Sequence, residues 1–372
     1  MSTRYAWVAL VTLWTGFTGV ACGTQYVVTD LGTLGGTASQ ASGINAKGQI
    51  VGLSTTAAGP QHAFLFSGGK MTDLGTLGGD SAATGVNDNG QVVGYSATSA
   101  GATHAFLYDK GSMNDLQPSG GESYAAAINA QGQIVGHRSA NGVTSAFLYS
   151  GGTITTLGSF SGASFATGIN GAGQVAMYAA SAPMSANYHS YLRSGETMTD
   201  LGMIDGSWWS LTSAVNAKGQ VVGWGGSAEF YNEHAYLYSN GAMKDLGTLS
   251  GCARSQATGI NTAAQVVGFS YSLADDSSRV GQHAFVYTND TMTDLNSLID
   301  VASGWTLEAA TAINDLGQIA GYGVSPSGQE HAFLLTPVPE PSTAVLLGVG
   351  VCLLACVWRR RGDHRRRITT RF

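Results

Sequence analysis

The chain is a succession of short apolar runs separated by turns, and one stretch shows the whole pattern. Ala83-Thr84-Gly85-Val86 is followed by the turn Asn87-Asp88-Asn89-Gly90, then by Gln91-Val92-Val93-Gly94-Tyr95, His104-Ala105-Phe106-Leu107-Tyr108 and Met113-Asn114-Asp115-Leu116. These runs are nearly continuous rather than alternating, as strands of a sheet covered on both faces require. In the Asn-x-x-Gly turn, the Asn side chain is expected to bond backbone groups two residues on. The Gly takes the positive-φ position that closes the hairpin.

This unit returns along the chain. The turn Asn stands at Asn45, Asn87, Asn129, Asn170, Asn216, Asn261 and Asn314, so successive copies lie 42, 42, 41, 46, 45 and 53 residues apart. Four short strands in such a period match one blade of a β-propeller. The ends support closure: the repeats open on a lone fourth strand, Tyr26-Val27-Val28-Thr29-Asp30-Leu31, and finish on a third, His331-Ala332-Phe333-Leu334-Leu335. Each end supplies what the other lacks. Pairing them closes a ring and removes two exposed sheet edges. The predicted fold is therefore all-β, a seven-bladed β-propeller of four-stranded blades. The small-residue strand is placed innermost because blades crowd at the axis. Ala264 replaces the turn Gly of the other six copies and is expected either to carry left-handed strain of about 1–2 kcal/mol or to force another turn type.

Composition agrees and narrows the partners. Fifty-three Gly, 7 Pro and 11% charged residues in 372 positions describe tight turns and short strands. Seven of the 17 basic residues fall in the last fourteen positions, and between Gln25 and Thr336 there are 9 Lys+Arg against 21 Asp+Glu, a net of -12. So acidic a body is a poor partner for nucleic acid. The four cysteines, Cys22, Cys252, Cys352 and Cys356, form neither a disulfide framework nor a metal-binding spacing. No cofactor loop is present, so no cofactor and no metal site are expected.

The two ends read as addresses. Arg4 and the apolar stretch Tyr5 to Val20, followed by Ala21-Cys22-Gly23, give a signal peptide over residues 1–23; a lipoprotein cleavage box is the weaker alternative. After the repeats of residues 24–336, the tail 337–372 carries Pro339-Glu340-Pro341, an apolar run over residues 343–358 and Arg359-Arg360-Arg361. The run is slightly short of the roughly twenty residues of a bilayer span, and the arginines would stay cytoplasmic. From physics alone this is a single-span anchor. The ordered triplet, helix and basic end resemble the PEP-CTERM sorting signal of Gram-negative bacteria. The resemblance implies an exosortase-type processing enzyme as partner. It also implies an inner-membrane-anchored precursor and a mature protein at the cell surface or in an extracellular polysaccharide (biofilm) matrix.

The segments DLGTLGG, GIN, GQVVG and HAFL resemble the bacterial extracellular HAF repeat, named for His-Ala-Phe at His62, His104, His283 and His331. That resemblance brings no established activity. The repeated histidines, and the aspartates Asp30, Asp73, Asp115, Asp200, Asp245 and Asp294 that end the fourth strands, are read as fittings of the repeat, the aspartates capping loops. Sites on repeat folds lie where copies differ. The loops between blades and between second and third strands are expected on one face, and two in the fifth blade stand out. They are Met203 to Thr212, with Trp208 and Trp209, and Trp224 to Glu233, with Phe230 and Tyr231. Trp208, Trp209, Trp224, Phe230, Tyr231 and Glu233 are the candidate ligand-binding residues, since exposed aromatics beside carboxylates such as Asp205, Glu229 and Glu233 suit a saccharide. Asp275 and Asp276 are too few for a Ca²⁺ site. The expected function is an exported structural or carbohydrate- or protein-binding component. The alternative is a polysaccharide-acting glycosidase or lyase, although no converging pair of carboxylates is visible in the sequence.

Overall fold

The computed structural model describes residues 25–117, 120–182, 187–204, 206–226, 233–274 and 279–339. The residues of the signal peptide, the apolar run 343–358, Glu340, Pro341 and the tail arginines lie outside them. The chain divides into a unit spanning Tyr26–Thr336 and its two ends, Met1–Gln25 with Pro337–Phe372. Among the described residues no helix is long and apolar enough to cross a membrane.

Tyr26–Thr336 folds into seven sheets of four strands each. In blade 1 the strands are Gly35–Ile44, Ile50–Thr56, Gln61–Ser67 and Lys70–Asp73, paired in chain order. In blade 2 the first strand is Gly78–Val86, longer than the Ala83–Val86 core read from the sequence. Its glycine-rich leading half extends the pairing across an irregular register. The first strands line an axial channel of about 280 Å³, each blade giving three residues, from Ser42-Gly43-Ile44 to Thr311-Ala312-Ile313. The small-residue strand is thus innermost. Because strands alternate in direction, the connections between second and third strands and those between blades share one end of the ring, while the tight Asn turns occupy the other.

Closure follows the complementarity of the ends. Tyr26–Asp30 is the outer strand of the seventh blade, beside Glu330–Pro337, and the Leu31 N–H donates to the Ala332 carbonyl at 3.0 Å. Between neighbouring blades the core is apolar. Val51, Ala63 and Leu74 of blade 1, for instance, pack on Ala83, Val92 and Phe106 of blade 2.

Three repeated positions explain the motif. First, the His-Ala-Phe ring lies over the Gly of GQVVG on the adjoining strand, as in the pairs Gly52 with Phe64, Gly94 with Phe106 and Gly321 with Phe333. A Cβ on Gly94 would stand 2.0 Å from the Ala82 carbonyl and 2.9 Å from Phe106. Blade 4 has Met177 in this position, paired with Tyr191, and that ring is only half-buried and packs against Phe160. Second, a serine near the start of the inner strand clamps the previous blade. Ser81 Oγ accepts from the Ala63 N–H at 2.8 Å and donates to the Gly75 carbonyl at 2.7 Å. Third, the turn Asn does more than turn the chain.

Asn129 Oδ1 accepts from the N–H groups of Gln131 and Gln133, while Nδ2 donates to Gln133 Oε1 and across the blade boundary to the Asn170 carbonyl. Every copy repeats the cross-blade bond at 2.9 to 3.2 Å, and the last, from Asn314 to the Asn45 carbonyl, closes the circle. Both donors and both lone pairs of each buried amide are therefore used. Ala264 keeps the common turn at φ 61°: of the two outcomes foreseen, it accepts the strained conformation.

Candidate ligand-binding face

The repeated histidines and aspartates form dyads on the variable-loop face. Nδ1 of His62, His104, His189, His234, His283 and His331 lies 2.6 to 3.2 Å from Asp73, Asp115, Asp200, Asp245, Asp294 and Asp30 respectively. The other carboxylate oxygen caps the following loop, as Asp245 Oδ1 does for the Gly247 N–H at 2.7 Å. His331 with Asp30 joins the two chain ends. Each dyad ties a third strand to a fourth within one blade. Among the described residues no group of three or more His, Cys, Asp or Glu is arranged to hold a metal ion.

The structure separates the sequence-derived candidates. Trp208 is 60% exposed, whereas Trp209, the first residue of the inner strand Trp209–Val215, is buried. Trp224 lies half-buried in the second strand of the same blade, opposite Leu211. Glu233 is buried between blades 5 and 6. It pairs with Arg254 Nη1 at 3.1 Å and accepts from Gln256 Nε2 at 2.9 Å and from the Tyr271 hydroxyl at 2.7 Å. Burial, and next the hydrogen bond to Glu233 and then its charge, push the Tyr271 hydroxyl above its ordinary range. Phe230, Tyr231, Asp205, Glu229, Asp275 and Asp276 lie outside the described residues.

Comparing the seven copies at one register position locates the chemistry better than the loops do. Immediately beyond the invariant core, toward the variable-loop end, the paired residues are Gln40 with Leu53, Ala82 with Tyr95, Tyr124 with His137, Phe165 with Tyr178, Leu211 with Trp224, Gln256 with Phe269 and Ala309 with Tyr322. These pairs lie one register step beyond the channel-lining segment, toward the variable-loop end, and Ala82, Gln256, Phe269 and Ala309 among them are buried between blades. In blades 2 to 4 they make a ladder of rings: Tyr95, Tyr124, His137, Phe165 and Tyr178, with centroids 4.8 to 5.2 Å apart. Burial in this ladder pulls the His137 imidazole below its ordinary value and pushes the Tyr178 hydroxyl up to about 12.

In blades 6, 7 and 1 the corresponding wall is polar. Arg279 lies over the rings of Tyr271 and Phe269, 4.6 and 5.1 Å from their centroids. Gln40 Nε2 donates to Glu330 Oε1 at 2.9 Å. Burial, and then the neighbouring charge of Glu330, raise the Glu308 carboxyl above the usual range. Glu308 is the extra residue of a β-bulge between Leu307 and Ala309, and no other blade has a register shift at the corresponding place. Bulges of this kind re-aim a side chain. The sequence alone shows no converging pair of carboxylates. Glu308 and Glu330 do come close enough for their charges to interact; Glu308 stands at the bulge, whereas Glu330 with Gln40 repeats the pairing of Glu233 with Gln256.

Residues 337–361 match the PEP-CTERM protein-sorting motif. No curated protein matches the chain. Among solved structures, the fold is similar to that of one of two prolyl endopeptidases, at 10% identity over 84% of this chain and 52% of that one, with a TM-score of 0.53. TolB from Acinetobacter baumannii (11% identity, 78% of this chain, TM-score 0.46) and a gluconolactonase from Xanthomonas campestris (11%, 87% of this chain and 94% of that one, TM-score 0.41) are also similar. The chain spans 64% of TolB's length. At such identities the likeness concerns the propeller fold alone. The motif, which exosortase recognises, together with the seven closed blades makes this an exported protein, made as a membrane-anchored precursor on a propeller scaffold.

Proposed function

We propose that the protein is a surface or matrix component of a Gram-negative bacterium that binds saccharide through its variable-loop face. The observation that carries this reading is Trp208: a 60% exposed indole, next to the buried Trp209, on the face where the repeats differ. An exposed aromatic of this size on an otherwise polar rim suits the apolar face of a sugar ring. The acidic body favours neutral over polyanionic partners. HAF-type repeats supply the scaffold in this reading and the PEP-CTERM tail supplies the route. Full-length protein is expected to bind on a glycan array, and Trp208→Ala to weaken that binding several-fold; an array with no retained glycan overturns the reading. Exosortase processing predicts a mature C-terminus upstream of residue 343, which mass spectrometry of the cell-surface form checks. A chain intact through Phe372 contradicts it.

A second reading, a glycoside-hydrolysing enzyme, draws on Glu308 and Glu330. Two carboxyl groups, one held toward its protonated form, are the elements of acid and base catalysis at a glycosidic bond. Release of reducing ends from a bound polymer, abolished by Glu308→Gln, is the result this reading requires.

A further inference from the structure

We infer that the Asn-turn end of blade 7 is the surface on which the anchored precursor rests against lipid headgroups, so that the variable-loop face is turned away from the membrane. The inference concerns the precursor that the PEP-CTERM motif implies and is independent of the saccharide reading.

Strand direction carries the first step. Ile319, which follows the Asn314 turn, pairs with Ile313 on one side and with Leu335 on the other. The last strand, Glu330–Pro337, therefore runs from the variable-loop end to the Asn-turn end, and Tyr26–Asp30 beside it begins at the Asn-turn end. There the Val338 N–H donates to the Gln25 carbonyl at 2.8 Å. Both chain ends thus leave from one place, at the outer strands of blade 7 and on the Asn-turn side.

Chain length carries the second step. Five residue steps separate Val338 from position 343, where the apolar run begins, and five separate Gln25 from Val20, where the N-terminal apolar stretch stops. Such a segment spans about 12 Å when flexible and about 18 Å at full extension. The headgroup layer that it must cross is itself roughly 5–8 Å thick. So short a tether keeps the Asn-turn end of blade 7 beside the lipid.

The surface there departs from the repeat in the direction that lipid contact requires. At the third position of the Asn turn the other six copies carry Lys, Asn, Gln or Ala, and blade 7 carries Leu316, 65% exposed. At the position three residues before the loop-capping Asp or Thr of the outer strand, the other six carry Lys, Ser, Thr or Ala, and blade 7 carries Val27, 58% exposed. Among the described residues, the large hydrophobic side chains exposed on the Asn-turn side are Leu316, Val27 and Val338, all at this blade; the others, Val143, Trp208, Val280 and Val301, stand on the variable-loop side. Positions that served the scaffold alone would repeat as their copies do. So few apolar side chains bind a bilayer weakly without a tether, so the contact ends when the tail is removed.

The test is photo-crosslinking of the full-length protein in vesicles of phosphatidylethanolamine and phosphatidylglycerol, with p-benzoylphenylalanine placed in turn at positions 27, 316 and 143. Val143 matches Val27 in residue type and in exposure, at 58%, but stands on the other face. Lipid adducts, counted by mass spectrometry, should be several-fold more frequent at 27 and 316 than at 143. Thermal unfolding checks each labelled protein, and position 27 decides alone if the label at 316 disturbs the turn. Equal labelling at 27 and 143, or no lipid adduct at 27 in protein that floats with the vesicles, overturns the inference. Adducts from 27 to a second copy of the chain, in place of lipid, overturn it as well and make the patch a self-contact. Full-length protein that does not float with the vesicles overturns the anchor itself.

Discussion

At the scale of single residues, the turn asparagines show how much one amide can hold. A buried side chain whose four hydrogen bonds include one to the next blade is both a turn former and a ring closer. Asn129→Ala is expected to cost about 2–4 kcal/mol in urea unfolding. Asn129→Asp should be at least as damaging despite its matching shape. A carboxylate has no N–H for Gln133 Oε1 or the Asn170 carbonyl and would set negative oxygen against both. Half of this role was legible in the sequence: Asn-x-x-Gly announces a turn, and the bonds to residues two and four ahead are local. The bond to the next blade spans about one repeat and depends on how blades lean together, so no sequence spacing reveals it. Trp208 and Trp209 make the same point. They are neighbours and chemically identical, but the inner strand begins between them, leaving one outside and one inside.

At the scale of strands, the His and Asp dyads fasten the third strand to the fourth, and the pairing of His234 with Asp245 responds to pH in a defined way. The bond to Asp245 raises His234 against the opposing effect of burial. Burial pushes Asp245 up, but the bonds from His234 and from the Gly247 N–H outweigh it and hold the carboxyl below its usual range. A raised histidine contributes stability fully below its unfolded value, about 6.5, and loses it as pH climbs through the folded value. A lowered aspartate contributes above its unfolded value, about 3.9, and loses it as pH falls through the folded one. The dyad therefore acts most between about pH 4 and 6.5. His234→Gln should lower the urea midpoint more at pH 5 than at pH 8; an equal loss at both would show that the pairing carries no charge. The polar wall was hidden from sequence for a related reason. Glu308 and Glu330 lie on strands separated by Ile319–Val324, and the bulge at Leu307 and Ala309 sets the direction of Glu308. A bulge is one added residue, which a repeat of uneven length conceals.

At the scale of the whole molecule, architecture was the legible part. The seven-fold period, the four runs in each, and the complementary ends point to a closed ring, in which the lone first strand takes the place of the missing last one. Function is less legible because the repeat devotes its regular positions to the scaffold. Chemistry is left to the few places, beyond the channel-lining segment and at the rim, where copies disagree. The central claim is that recognition belongs to the variable-loop face and the Asn-turn face is structural. Hydroxyl-radical footprinting of the protein with and without a bound neutral glycan tests it directly. The account predicts protection of Trp208, with exposed Leu316 on the Asn-turn face oxidised as before. Protection of Leu316 with no change at Trp208 would contradict it.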